Sequence, residues 1–122
     1  MSSLKRRWNR LKRDNILSML GLAKAGGNLV SGGFSTEDSI RKGTAFLVIV
    51  AEDASDNTKK LFTNKCMFYG IPIVLFSNKQ EIGKALGYEM RTSLAVTDEG
   101  IAKSLIKKLQ DRNISFISLG GC

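Results

Sequence analysis

The sequence contains no histidine, a single proline and only two cysteines. The cysteines, Cys66 and Cys122, do not form a CxxC pair, so neither a zinc site nor a disulfide framework is indicated. No apolar run is long enough to span a membrane, and the basic amino terminus does not resemble a signal peptide. These absences predict a protein without a metal or a cofactor, in a reducing, cytoplasmic environment, and with no membrane partner.

The residues that enzymes most often use are also scarce. Without histidine the chain lacks the commonest general base. The adjacent acids Glu52-Asp53 and Asp98-Glu99 come where helices are predicted to begin, and carboxylates are favoured there for structural reasons. The glycine-rich segment GGNLVSGG fits neither GxGxxG nor GxxxxGK[ST]. We therefore expect no catalytic activity.

What the chain does have is positive charge, concentrated at one end. The 122 residues carry a net charge of +8, and a cluster of basic residues precedes the first acid, Asp14, so that the rest is nearly neutral. The basic residues of this cluster are Lys5, Arg6, Arg7, Arg10, Lys12 and Arg13. Such a cluster favours a polyanion, most often RNA or DNA; the alternatives are an anionic membrane surface and a solvated helix that only aids solubility.

The spacing of apolar residues divides the chain into an arm, a domain and a tail. Leu4, Trp8 and Leu11 recur at helical spacing in the arm, residues 1–13, and a break near Asp14 separates them from the helix that ends at Gly26-Gly27. Trp8 is compatible both with packing on the domain and with stacking on a base. Residues 14–112 form the expected single domain. The tail, residues 113–122, fits either an edge strand or a disordered terminus.

Strands and helices alternate through the expected domain. Strands are predicted at 29–30, 46–51, 71–76 and 93–97, where the middle two are continuous apolar runs typical of strands buried on both faces. The intervening helices are predicted over 35–42, from a Ser55 cap to Gly70, from a Ser77/Gln80 capping box to Leu86, and from Thr97 or Asp98 onward. This alternation predicts a three-layer α/β/α sandwich.

Two of these helices carry a predicted apolar face. Leu61, Phe62, Cys66 and Tyr69 share one side of the helix that follows Ser55, so Cys66 is expected to be an inert core residue. The last helix is expected to bury Ile101, Leu105, Ile106 and Leu109.

Five stretches occur in an order and spacing that resemble the ribosomal protein L7Ae/L30e family, and within it the bacterial YlxQ-like branch. They are LGLAKAGGNLVSGG, IRKGTAFLVIVAEDASDNTKK, KCMFYGIPIVLF, KQEIGKALG and LAVTDEG. The resemblance runs from Leu17 to about Leu109, which is most of the domain. It implies a mixed four-stranded sheet between helix layers, no catalysis, and binding to kink-turn RNA, with the ribosome as an expected partner.

The resemblance also implies two RNA-binding segments, a strand–loop–helix element at Gly32–Asp38 and a loop at Tyr88–Thr92. The first is also plausible from its residues alone, because paired glycines let a backbone approach phosphate closely and a helix amino terminus offers free N–H groups. The hydroxyls of Ser31, Ser35 and Thr36 are expected to add donors to phosphate or ribose. Arg41 and Lys42 are expected to support the RNA backbone. The predicted RNA-binding residues are Ser31, Gly32, Gly33, Phe34, Ser35, Thr36, Arg41, Lys42, Tyr88, Met90, Arg91 and Thr92.

The first segment departs from the family pattern at the residues expected to read bases. Phe34 stands where the family carries a base-reading asparagine or lysine, Ser35 where it carries glutamate or glutamine, and Asp38 where it carries lysine. Phenylalanine cannot hydrogen-bond a base edge but can stack on an unpaired base. We therefore expect RNA binding with weaker or altered kink-turn specificity. The alternative is a protein–protein adaptor that has lost this recognition and uses Phe34 and Met90 as an apolar contact.

Overall fold

The structure, a computed structural model, describes residues 15–120, in which five helices and five strands alternate. The helices are α1 (Asn15–Ala25), α2 (Gly33–Lys42), α3 (Asp56–Tyr69), α4 (Lys79–Leu86) and α5 (Glu99–Asp111). The strands are β1 (Leu29–Ser31), β2 (Leu47–Val50), β3 (Ile73–Leu75), β4 (Ser93–Val96) and β5 (Phe116–Ser118). The basic cluster of the arm, Trp8 and Cys122 lie outside the described residues. Within residues 15–120, no helix combines the length and the hydropathy needed to cross a bilayer.

All five strands form one mixed sheet in the order β1-β4-β2-β3-β5. β2 and β3 are parallel, whereas the other neighbours are antiparallel, with Leu29 opposite Val96 and Val50 opposite Ser93. The expected four-stranded sheet is therefore wrong by one strand. β5, in the segment that fits either an edge strand or a disordered terminus, pairs with β3 at the edge, and Phe116 packs against the core. Packing of one apolar face is what holds such a short edge strand in place.

Helices cover both faces of this sheet. α1 packs against α4 and α5 on one face, and α2 packs against α3 on the other. Every residue of β2 and β4 is buried, as expected for central strands between two helix layers. The largest fully buried side chains include Phe62, Ile40 and Leu105, which come from both helix layers. The α/β/α arrangement expected from the alternation is confirmed.

The helix starts differ from expectation in two places. α2 begins at Gly33, with Gly32 as its N-cap, two residues earlier than predicted. The cap of α4 is Asn78, which accepts a hydrogen bond from the Glu81 N–H at 2.9 Å, rather than Ser77. Ser77 instead adopts a left-handed backbone with φ of 61°. The predicted caps Ser55 and Asp98 are confirmed, each accepting a bond from an N–H of the first turn.

The apolar face predicted for α3 is narrower than expected. Phe62 and Cys66 are buried, but Leu61 and Tyr69 are 41% and 45% exposed. The sheet covers only a narrow stripe of α3, so the outer members of the predicted face reach solvent. Burial raises the pKa of the Cys66 thiol to about 12, which matches the expected inert core residue. On α5, Ile101 and Ile106 are half-buried rather than buried.

Candidate functional site

The first predicted segment forms a short turn that leads β1 directly into α2. Gly32 has φ of 93° and ψ of 157°, a backbone conformation essentially restricted to glycine. Its N–H donates to the Ser93 carbonyl of β4 at 3.0 Å, which fixes the turn on the sheet. No side chain caps α2, and a Cβ built on Gly33 would meet nothing within 4 Å. We call residues 32–35 the β1–α2 ledge; its first helical N–H groups are open to a ligand.

The side chains around the ledge differ in exposure. Phe34 is 80% exposed and Ser35 is exposed, while Ser31 is half-buried. Thr36 is different, because its side chain is fully buried and its hydroxyl has no hydrogen-bond partner among the described residues. The expected role of the Thr36 hydroxyl as a surface donor to phosphate therefore needs correction, since the start of α2 turns this side chain into the protein.

The cations at the far end of α2 are paired within the helix. Asp38 accepts from Arg41 at 3.1 Å and lies 3.0 Å from the Lys42 ammonium. The hydrogen bond from Lys42, together with that from Arg41, holds the pKa of the Asp38 carboxyl below its ordinary value. Asp38 thus offsets much of the positive charge that Arg41 and Lys42 bring to this part of α2.

The second predicted segment, which we call the 88–92 loop, is held tightly against α4. The Tyr88 N–H donates to the Gly83 carbonyl at 2.7 Å, and the Arg91 N–H donates to the Lys79 carbonyl at 2.9 Å. Gly83 makes this approach possible, because a Cβ there would lie 2.5 Å from the Met90 Cα. Backbone hydrogen bonds to the first and the fifth residues of α4 therefore fix the loop.

The structure brings the two predicted segments together. Since β1 and β4 are neighbours, the end of β1 lies beside the loop that enters β4. The Arg91 Nε donates to the Ser31 Oγ at 3.1 Å, which joins the 88–92 loop to the ledge. Thr92 anchors the loop on the other side, where its carbonyl accepts the Ala51 N–H at 2.9 Å. Met90, 46% exposed, adds apolar surface to the same loop.

One residue at this site was missed by sequence reasoning. The Lys24 Nζ, in the last turn of α1, lies 4.3 Å from the centre of the Tyr88 ring, and the Arg91 Cζ lies 3.7 Å from it. Interaction with Lys24 first, and then with Arg91, lowers the pKa of the Tyr88 hydroxyl. No local sequence signal links Lys24 to Tyr88, because only the packing of α1 on α4 brings them together.

The assembled surface combines several groups that can contact a nucleic acid. It offers backbone N–H groups, two cations and exposed aromatic rings, which are the groups that contact phosphates and unstacked bases. Among residues 15–120, no group of three or more Cys, Asp or Glu side chains is placed to hold a metal ion.

The sequence matches the ribosomal protein L7Ae/L30e/S12e/Gadd45 family over residues 14–106. The chain is 41% identical over 91 residues to RNA-binding protein YlxQ of Bacillus subtilis (strain 168), covering 75% of this chain and 91% of that protein. It is 35% identical over 95 residues to RNA-binding protein YlxQ of Enterococcus faecium, covering 78% and 91%. Large ribosomal subunit protein eL8 of Cenarchaeum symbiosum (strain A) is 28% identical over 95 residues, covering 77% and 75%.

Solved structures show the same arrangement of helices and strands. A protein of unknown function from Bacillus halodurans C superposes with a TM-score of 0.75 at 34% identity, covering 78% of this chain and 96% of that one. The Giardia lamblia 15.5kD RNA binding protein superposes with a TM-score of 0.67 at 20% identity, covering 78% and 84%. At that lower identity the likeness shows the fold alone.

Proposed function

Because the chain belongs to the ribosomal protein L7Ae/L30e/S12e/Gadd45 family, we propose that it is a non-catalytic protein that binds structured RNA. The family expected from the sequence is thereby confirmed. The proposed target is ribosomal RNA or another RNA that contains a kink-turn, and the proposed contact surface is the β1–α2 ledge with the 88–92 loop. The observation that carries the proposal is the uncapped start of α2, which lies directly beside Arg91.

The ledge supports a phosphate contact for physical reasons. The first N–H groups of a helix lack intrahelical partners and carry a partial positive charge, so they favour an anion. At Gly33 no Cβ obstructs the approach, and the space above it is open. Arg91, held by Ser31, adds a full charge beside these dipoles. Together they favour the backbone of a nucleic acid over a neutral ligand.

Recognition of the RNA is proposed to depend on stacking more than on hydrogen bonds to base edges. Phe34, at the second helical position of α2, projects from the ledge with 80% of its surface exposed. A stacked base gains about 1–3 kcal/mol whatever its identity. Without a bidentate hydrogen bond to a base edge, about 1–3 kcal/mol of discrimination is absent at that position. The proposed outcome is an RNA that is chosen by its shape and its unpaired bases.

The amino-terminal arm, residues 1–13, is proposed to add affinity without specificity to the domain that follows it. Its cluster of basic residues provides contacts to phosphates that are strong at low salt and insensitive to sequence.

The proposal is tested by titrating the full chain with a kink-turn RNA and with an unkinked duplex of equal length at two salt concentrations. We expect both RNAs to bind at low salt and the kink-turn RNA to bind more tightly at high salt, because salt weakens the sequence-blind contacts first. A variant with Arg6→Ala, Arg7→Ala, Arg10→Ala and Arg13→Ala tests the arm. The slope of log affinity against log salt concentration should become shallower by about 2–4, because each phosphate that is no longer neutralised reduces it by about 1.

Failure of wild-type protein to bind either RNA at low salt contradicts RNA binding itself. If wild type binds RNA but the arm variant keeps the wild-type salt slope, the arm does not contact phosphates, and the proposed contact at the ledge is unaffected.

A further inference from the structure

Lys24 and Arg91 converge on Tyr88 although they carry the same charge. Lys24 reaches the ring from the end of α1 and Arg91 from the 88–92 loop, at 4.3 Å and 3.7 Å from its centre. The negative face of an aromatic ring attracts cations, and this attraction offsets part of their mutual repulsion. An aromatic ring carries no net charge, however, so the cluster as a whole stays positive.

Neither cation has an acidic partner within residues 15–120. Asp38 pairs instead with Arg41 and Lys42, and Glu37 pairs with Lys65. Arg91 directs its guanidinium to a hydroxyl and a carbonyl instead, at Ser31 and Met90. Two positive charges held against one ring without a carboxylate leave a local potential that an anion would neutralise.

The pair also lies where a bound polyanion would pass. Arg91 bonds to Ser31, the residue before the ledge, and a Cβ on Gly32 would lie 4.0 Å from the Arg91 Nε. An anion that contacts the α2 amino terminus therefore has the Lys24–Arg91 pair beside it.

From these contacts we infer that Lys24 and Arg91 together hold a backbone phosphate of the bound RNA, and that Tyr88 is the residue that positions both cations. This inference rests on the proposed RNA-binding function and assigns one subsite within it. The subsite recognises the phosphate and not the base, so it adds affinity for any RNA that reaches the ledge.

A charge-matched pair of variants tests the phosphate subsite. One carries Lys24→Met with Arg91→Met, and the other carries Lys103→Met with Lys107→Met, two exposed lysines of α5. Each loses two positive charges, so general electrostatic effects cancel in the comparison. With the kink-turn RNA as probe, the first variant should bind at least tenfold more weakly than wild type at low salt, about the loss expected for one charge-assisted hydrogen bond. Its salt slope should fall by about 1, while the α5 variant stays close to wild type.

The positioning role of Tyr88 is tested by two replacements. Tyr88→Phe keeps the ring that holds the cations and should retain near-wild-type affinity. Tyr88→Leu removes the ring and should weaken binding several-fold without changing the protein's net charge. Thermal unfolding of both variants shows whether a loss of affinity reflects a loss of folded protein.

The outcomes separate the subsite from the function on which it rests. If wild type binds RNA but the Lys24/Arg91 variant matches the α5 variant in affinity and slope, the subsite is wrong and RNA binding stands. If wild type does not bind RNA, both fail together. A Tyr88→Leu variant that is folded and binds like wild type overturns the positioning role.

Discussion

Replacing Gly83 with alanine should lower the free energy of unfolding by about 2–3 kcal/mol, in the range of overpacked sites. The added Cβ would lie 2.5 Å from the Met90 Cα and 2.8 Å from its backbone nitrogen. Both are backbone atoms, so the 88–92 loop or α4 has to move. Alanine favours a helix over glycine by about 1 kcal/mol. A net loss of stability would therefore show that the steric clash outweighs this gain. Urea unfolding at constant m-value measures the change.

The matched control for this variant is Gly100→Ala in α5. A Cβ there meets only the Asp98 Oδ2, at 3.4 Å, so the substitution should be neutral or stabilising by up to about 1 kcal/mol. The Gly83 variant should also bind RNA more weakly, since the displaced loop carries Tyr88 and Arg91. Equal stability of the two variants contradicts the close packing of the loop on α4.

Replacing Phe34 with alanine should weaken RNA binding by about tenfold or more while leaving stability unchanged. The side chain is 80% exposed, so its removal costs little in the folded protein. If a base stacks on the Phe34 ring, removal of the ring costs about 1–3 kcal/mol of binding free energy. Affinity for the kink-turn RNA, measured beside a thermal unfolding curve, gives both quantities.

Phe68→Ala is the control for Phe34, because Phe68 is 82% exposed and lies near the end of α3. α3 leads into the start of β3, at one end of the strands of the sheet. The ledge follows the end of β1, which lies at the opposite end of the strands. Phe68→Ala should therefore bind RNA like wild type.

The adaptor alternative makes a different prediction at Phe34. If the ledge contacts RNA, Phe34→Lys should bind RNA more tightly than Phe34→Ala, because the lysine adds a phosphate contact where the ring is lost. If the ledge is an apolar contact surface, Phe34→Lys should instead disrupt binding to a protein partner. Equal RNA binding by wild type, Phe34→Ala and Phe34→Lys contradicts the RNA role of this residue.

Local sequence patterns predict the central part of the fold well. The continuous apolar runs that form β2 and β3 indicate buried strands and not surface segments. α3 ends at Gly70 because glycine readily adopts the left-handed backbone of a helix C-cap. A turn before α2 is also predicted, since paired glycines before a helix mark it in the sequence, although the helix begins two residues earlier than expected. These features depend on residues that are close together in the chain.

Features that depend on distant residues are missed or stay open in the sequence. β5 is three residues long and is stable only as a partner of β3, so its sequence alone does not distinguish a strand from a disordered tail. Lys24 joins the site because α1 packs on α4, which no local pattern shows. The burial of Thr36 is missed for a local reason, because α2 starts at Gly33, two residues before the predicted start.

Amide resonances of the ¹⁵N-labelled chain, followed during titration with kink-turn RNA, show whether RNA lies on the β1–α2 ledge and the 88–92 loop. We expect the largest changes in chemical shift at Gly32–Ser35 and Tyr88–Thr92, and no change at Met67–Tyr69, at the end of α3. Saturable binding that moves Met67–Tyr69 and leaves the ledge amides in place would contradict this expectation.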